Sequence, residues 1–499
     1  MRWIGLKAKV VSSMRSRKRP LWLVLGIVGV VCARFGTTVY HIEDIDSLRF
    51  AMSAIEFNVL ENKPHFPGYP LFVGLLQAVH SLFKSVALSF SLVGALATLG
   101  FYFAAVEIVK LTQVPVSSRV LFVVVAFNPL LWLMGNRYMP DLMGLCVLHW
   151  CLVFLLKCTE VTKHDHQPLW PILLGVSASI LCGVRLSYLP FLLPGLMLLK
   201  NVRVVLGALA MFTVATAAWL GIWIYEVGYS EFVELAKHDS LGHFTQWGGT
   251  VYATELTFSQ RLAGAAESIW AHAMGMWMPG RSAWTFLNAL ALSGLTGLGI
   301  QVLWSQRKRC SASVLYVWLC CCVCYAIWAF FFQNITYKPR HILPLLLPVF
   351  VVLAAGVTRL SNTSRWSFRT QWPELALFTY MICGVHIGVQ HVQPAAIDQM
   401  RDHVLASSPT VVYCPDHLIR YYLKQRSPQL HLSFVKDISE LNQSMVQDED
   451  AVLLSTVELS HLASCFQGTY SFHHNPFVNR LWSSLSVHEY CCQNAAYLE

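Results

Sequence analysis

Apolar runs of the ~20-residue length needed to cross a bilayer recur along most of the first ~390 positions, and this repetition fixes what the chain can be. A single anchor supplies one such run, and a surface-lying amphipathic helix supplies none. The composition agrees: 55% of residues are hydrophobic and only 13% are charged. The mean hydropathy is +0.51. A soluble domain of ordinary composition is thereby excluded. The basic start KAKVVSSMRSRKRP leads into a full-length apolar run without a small-residue cleavage site, so the first run reads as a retained helix rather than a signal peptide.

Orientation follows from Lys and Arg, which collect in short cytoplasmic loops. The SRKRP run near the start is therefore inside, and Leu21 to Val39 crosses outward. The apolar run from Tyr69 to Phe83 is short and interrupted by Gln77 and His80, so it reads as a helix lying along or dipping into the outer face. The remaining expected spans are Val86 to Val109, Arg119 to Gly135 and Leu142 to Leu156, then a hairpin from Leu169 to Leu199 turning near Gly183, Arg185 and Ser187. They continue as Val204 to Tyr225, Trp284 to Trp304, Val314 to Phe332, Leu343 to Val357 and Leu375 to Val389. This order places the basic loops SQRKRC and RLSNTSRWSFR inside. Counting Tyr69 to Phe83 as a span would move both outside. The expectation is an α-helical polytopic membrane protein with about 11 transmembrane helices, given ~20 residues per span.

From about residue 393 the apolar runs shorten to strand length and charges return. TVVYC, LHLSFV and AVLLS read as buried strands, separated by the helix-like DHLIRYYLKQ and by a segment from Asp437 to Gln447. The domain plan is a basic N-terminus (1–20), a membrane domain (21–392) and an extracytoplasmic, three-layer α/β domain (393–499). The membrane domain contains a first outer loop (40–85) and a large outer loop (226–282). No GxGxxG follows a strand, so no nucleotide fingerprint is present.

The 15 cysteines divide by place. Cys320, Cys321, Cys322 and Cys324 fall in one apolar span and read as packing residues. Cys414, Cys465, Cys491 and Cys492 are disulfide candidates in an oxidising compartment, with the pairing open. Of the Asn-x-Ser/Thr sites, Asn334 and Asn442 face outward in this topology and Asn362 does not. The formal net charge of +9 follows from the cytoplasmic rims and implies no nucleic-acid partner.

The topology gathers four polar clusters at one outer surface: Asp44 and Asp46 in HIEDIDS, Arg137 and Asp141 in NRYMPD, Arg185, and Lys338, Arg340 and His341 in YKPRH. Ionisable groups near membrane depth are costly and usually mark function. The alternative for each is an interfacial anchor or a helix-terminal acid. Four clusters on one face favour function.

At these residues the chain resembles the GT-C superfamily of polytopic membrane glycosyltransferases, over residues 20 to ~360 of a multispanning chain. The resemblance rests on acids directly after the first helix (EDIDS), then KPHFPGYPLF, then NRYMPD, a long later outer loop, and an Arg before a late helix (KPRHILPL). The first loop is similar to the HPPGYPL pattern of the protein O-mannosyltransferase and aminoarabinose transferase type. It departs from that pattern at Arg49, where an acid is often found, and at Phe66, in place of the first of two prolines.

The resemblance implies transfer of a sugar from a polyprenyl-phosphate carrier to a glycan, lipid or protein acceptor, generally with inversion. A hydroxyl acceptor needs a carboxylate base. Asp46 is the first candidate, expected at the N-terminus of a helix beginning near Leu48, and Asp44 is the second. A phosphate leaving group needs cations: Arg340 first, then Lys63, Arg185 and Lys338. Asp141, His65 and His341 are candidates for positioning the acceptor or a metal. Asp44, Asp46 and Asp141 together are the candidate oxygen ligands for a hard divalent cation, metal use differing among such families. The apolar run from Tyr69 to Phe83 is a candidate wall for the lipid tail. The membrane is that of a bacterial cell or, in a eukaryote, the endoplasmic reticulum. A competing class is a secondary transporter with a charged outer-face site, but it predicts internal repeats and broken helices in two halves, and no repeat is evident.

Overall fold

The computed structural model describes residues 21–160, 169–247, 249–361, 368–427, 433–437 and 452–491. The basic N-terminus, Asn362, Asn442, Cys492 and nearly all of the segment from Asp437 to Gln447 lie outside the described residues.

Among the described residues, eight helical segments are long and apolar enough to cross a membrane: Val86–Thr112, Asp141–Glu160, Leu169–Met197, Val202–Val227, Trp284–Arg309, Ala312–Phe332, Pro339–Thr358 and Trp372–Gln390. A ninth arises if Ser118–Ala126 and Pro129–Asn136, bent by 57°, form one span. The sequence predicts one continuous helix from Arg119 to Gly135, and the structure corrects this. Pro129 has no N–H to continue the ladder, and the Asn128 side chain accepts from the Leu131 N–H at 3.0 Å, so a second helix starts there.

Leu169–Met197 is long and apolar enough for one span, yet its contacts fold it back at Arg185. The Ser187 carbonyl accepts from Trp328 Nε1 at 3.2 Å and the Pro190 carbonyl lies 3.6 Å from Cys324 Sγ. A Cβ on Gly195 would lie 3.1 Å from Cys321 Sγ. The chain thus runs antiparallel to Ala312–Phe332 after Arg185. Gly144 abuts Arg185, whereas Gly195 abuts Leu155, eleven positions further along Asp141–Glu160. The predicted hairpin is present, with 3₁₀ geometry over Leu186–Leu192.

Pro70–Phe83 has 14 residues, about 21 Å of helix against about 30 Å of hydrocarbon. Leu71 packs at Gly183, two residues before the Arg185 turn, and Phe83 sits 6.2 Å from Phe35 near the end of Leu21–Gly36. Both ends of the helix therefore lie near one rim of the bundle, as expected of a surface-lying element. That rim also carries the polar clusters.

In lipid the hydrophobic effect does not drive helices together, so small residues that let backbones touch matter most. Gly94 of Val86–Thr112 is the tightest case: a Cβ there would stand 1.7 Å from the Gly135 carbonyl oxygen. We expect Gly94→Ala to force the two helices apart at a cost of about 1–3 kcal/mol, read as a lower melting temperature in detergent.

Beyond Gln390 the chain forms a five-stranded sheet of order β2-β1-β3-β5-β4. The strands are β1 (Val411–Tyr413), β2 (Ser433–Val435), β3 (Val452–Ser455), β4 (Phe466–His473) and β5 (Ser484–Cys491). β1 pairs in parallel with β2 and β3, and β4 and β5 form an antiparallel pair beside β3. The three strands and the helix His417–Arg426 fall where the sequence predicts them, whereas the β4–β5 pair was not foreseen. One sheet face packs through Ile397, Met400 and Tyr422 into the same apolar cluster as Ile42, Ile45 and Phe50 of the first loop. The sheet is thus fastened to the loop bearing the acids. Cys465 is disulfide-bonded, while Cys414 and Cys491 are free thiols.

Candidate active site

The acids of EDID have separate partners. Asp44, not Asp46, caps the helix Ile45–Ser53, accepting from the Ser47 N–H at 2.8 Å. This corrects the expected cap and the expected start near Leu48. Asp46 sits in the first helical turn with its side chain 10% exposed. Its Oδ2 accepts from Lys338 Nζ at 2.7 Å and from Arg340 Nη2 at 2.8 Å. No hydrogen bond to Oδ1 is made among the described residues. Burial alone would raise the Asp46 pKa, but the Lys338 and Arg340 cations outweigh it and hold the carboxyl well below the usual aspartate range. Asp46 is therefore ionised.

A second layer supports this contact. Asp141, fully buried at the start of Asp141–Glu160, pairs with Arg185 Nη2 at 2.9 Å and lies 3.7 Å from Arg340 Nε. Arg185 Nη1 donates to the Tyr69 hydroxyl at 3.1 Å, which lies 3.3 Å from His65 Nε2. Burial pushes the His65 pKa down to about 3, so its ring is neutral. Tyr69 occupies the left-handed region at φ 50°, a conformation that costs a non-glycine residue roughly 1–3 kcal/mol and is held only where surroundings enforce it. Gly68 before it, at φ 74°, allows no side chain, because a Cβ would stand 2.6 Å from the Trp223 ring. PGYP is thus the device that aims a phenol at Arg185.

Glu43, the acid given no role from sequence, is buried in a structural pair. It accepts from Arg137 Nε and Nη2 at 2.8 and 2.7 Å, and His391 Nε2 lies 2.9 Å from its Oε1. Arg137 also donates to the Val478 carbonyl at 3.0 Å, and Asn479 Nδ2 donates to the Glu43 carbonyl at 2.9 Å. The Tyr422 hydroxyl donates to the Ile42 carbonyl at 2.8 Å. These bonds bring the loop Phe477–Leu481 against the first loop, and a cleft opens between them. Asp44, Arg137, His272, Lys338, Arg340 and Arg480 line it.

The structure brings Asp46, Lys338, Arg340, Arg185, Asp141, Tyr69 and His65 together. Lys63 is not among them: its ammonium is held at 2.7 Å by both Glu56 and Glu61, which corrects its expected place. His341 is buried next to Arg340, and its backbone carbonyl accepts from the Tyr325 hydroxyl at 2.9 Å. Among the described residues no group of three or more His, Cys, Asp or Glu side chains is placed to hold a metal ion. Asp46 and Asp141 are each matched by cations and Asp44 by a backbone amide, so these acids do not fit a divalent cation cradle. Arg480 and His391 lay outside any sequence signal. Each is a lone basic residue in an unremarkable segment, and only the packing of the C-terminal sheet brings them here.

No family model and no curated protein matches the chain by sequence. Solved structures do match in shape. ArnT from Cupriavidus metallidurans bound to undecaprenyl phosphate superposes with a TM-score of 0.55 at 10% identity, covering 94% of this chain and 98% of that one. The same protein in the apo state gives 0.53 at 11% identity over 95% and 98%. Arabinofuranosyltransferase AftD from Mycobacteria gives 0.51 at 12% identity, over 89% of this chain and 37% of that one. The chain has the GT-C fold of polytopic membrane glycosyltransferases, followed by a small C-terminal sheet.

Proposed function

We propose that the protein is a membrane glycosyltransferase that moves a sugar from a polyprenyl-phosphate donor to a hydroxyl acceptor at the extracytoplasmic face, with inversion. The observation that carries this reading is the joint contact of Lys338 and Arg340 with one oxygen of Asp46, at one rim of a bundle with the GT-C fold. Residues 21–392 form the catalytic part and residues 393–499 the outer domain that closes over it. The membrane is a bacterial cell membrane or an endoplasmic reticulum. Support for the donor class comes from the fold shared with a protein solved with undecaprenyl phosphate and from the cations along the cleft.

The chemistry follows from charge. The acceptor oxygen attacks C1 of the sugar, its proton passes to Asp46 Oδ1, and the C1–O bond to phosphate breaks with its electron pair going to the phosphate. Arg340 and Lys338 meet that developing charge in a water-poor cleft. Before the donor arrives both cations sit on Asp46 and depress its basicity. A docking phosphate shares them, so Asp46 becomes more basic when a base is needed. Asp141 holds Arg185 and sits near Arg340, positioning the guanidiniums rather than reacting. Pro70–Phe83, lying along the rim, forms a wall for the polyprenyl chain.

Arg340→Gln tests the reading. Removing one preorganised charge donor is expected to cost about 10²–10³-fold in kcat, with weaker binding of polyprenyl phosphate. Unchanged lipid-phosphate binding and turnover in that variant would remove the proposal.

A further inference from the structure

The cleft has two walls, and the mechanism above uses only one of them. Arg340 stands on the membrane side. Arg480 stands on the other, in the loop Phe477–Leu481 between β4 and β5, and lines the same cleft. Its Nη2 lies 3.3 Å from Glu267 Oε2, which also lies near His272 at 3.7 Å. Arg480 Nη1 is buried and makes no hydrogen bond, and so is Arg340 Nε. Arg340 Nε faces the buried Asp141 carboxylate at 3.7 Å, whereas the Arg480 guanidinium keeps one N–H group with no partner among the described residues, in a cleft where Asp44 is the lone acid among the lining residues. An unmatched buried donor is costly unless a ligand completes it, and guanidinium is suited to phosphate through its fork of N–H groups.

We propose that Arg480 is a second binding contact for the donor phosphate, contributed by the C-terminal domain. This inference rests on the proposed function. Glu267 holds one arm of the guanidinium so that the other is presented, and the sheet domain becomes a working wall of the site. The loop is tied down by the Arg137 bond to Val478 and the Asn479 bond to Glu43, so Arg480 is carried on a fixed strut.

The test titrates dolichyl phosphate against the full-length protein in nanodiscs, with inorganic phosphate as a soluble competitor. Arg480→Gln is expected to weaken dolichyl phosphate binding roughly tenfold, the size of one charge-assisted hydrogen bond. It should also blunt competition by inorganic phosphate, and Arg480→Lys should recover part of the affinity. Glu267→Gln keeps the guanidinium and an amide oxygen to hold its arm, and is therefore expected to retain phosphate affinity. If it weakens binding as much as Arg480→Gln, Arg480 acts only as a structural tie and the inference fails. Changed inorganic phosphate competition with unchanged dolichyl phosphate binding also overturns it. Intact binding in Arg480→Gln beside lost binding in Arg340→Gln overturns this inference alone, whereas intact binding in both overturns the functional reading beneath it.

Discussion

Asp46→Asn is expected to lower the rate of sugar transfer by about 10²–10⁴-fold, the range over which a positioned general base contributes, with little change in folding. The amide keeps an oxygen to accept from Lys338 and Arg340, so the site is assembled but cannot take the proton. Asp44→Asn is the matched control. Asn caps helices nearly as well as Asp, so the helix Ile45–Ser53 is expected to stand and transfer to continue near the parent rate. Rates measured in nanodiscs with lipid-linked donors decide between the acids. Loss in the Asp44 variant with activity retained in the Asp46 variant would reverse the assignment. The ionised state of Asp46 sets a pH expectation too. Its carboxyl is held well below the usual aspartate range, so the free enzyme should keep its base in working form through mildly acidic conditions.

Glu43→Gln should have the largest effect on stability. Breaking a buried pair strands the other charge, at about 3–5 kcal/mol, and because Arg137 meets both Glu43 oxygens, the amide keeps one acceptor and turns an NH2 group against the other guanidinium N–H, unlike Asp46, which uses a single oxygen. The melting temperature in detergent should fall, and the C-terminal domain should become sensitive to protease, because Arg137 and the Glu43 backbone hold the loop Phe477–Leu481. The pH dependence has a definite sign. Burial alone would raise the Glu43 pKa, but Arg137 and His391 outweigh it and hold it well below the usual value of 4.5. Its stabilisation is therefore complete above about pH 4.5, the unfolded value, and is lost as the pH falls through the folded value. Acid unfolding of the parent should show this step and Glu43→Gln should not.

Much of this was legible because membrane constraints act on local sequence. The apolar helices from Val86 onward and the short run from Tyr69 to Phe83 follow from nearby residues, and so do the strands TVVYC and AVLLS. The Asp46 contact was half legible: Asp46, Lys338 and Arg340 were each picked out, but a separation of 292 positions between Asp46 and Lys338 leaves no local trace of the pair. Lys63 was misplaced because Glu56 and Glu61, close in sequence, reach it first. Glu43 and Arg480 could not be assigned. Glu43 is met by Arg137, His391 and Asn479 and Arg480 by Glu267, all far away in sequence, and only tertiary packing joins them. The bend at Pro129 was readable in hindsight from the Asn128-Pro129 pair, a cap followed by a residue that starts helices well.

Native mass spectrometry of the protein purified in its own lipids tests the central claim most directly. The parent and Asp46→Asn proteins are expected to carry a polyprenyl phosphate or its sugar-linked form, with the sugar-linked form enriched in Asp46→Asn because that variant binds the donor without using it. Arg340→Gln should carry little of either. Equal lipid occupancy in all three proteins, or no polyprenyl phosphate in any of them, would contradict the account.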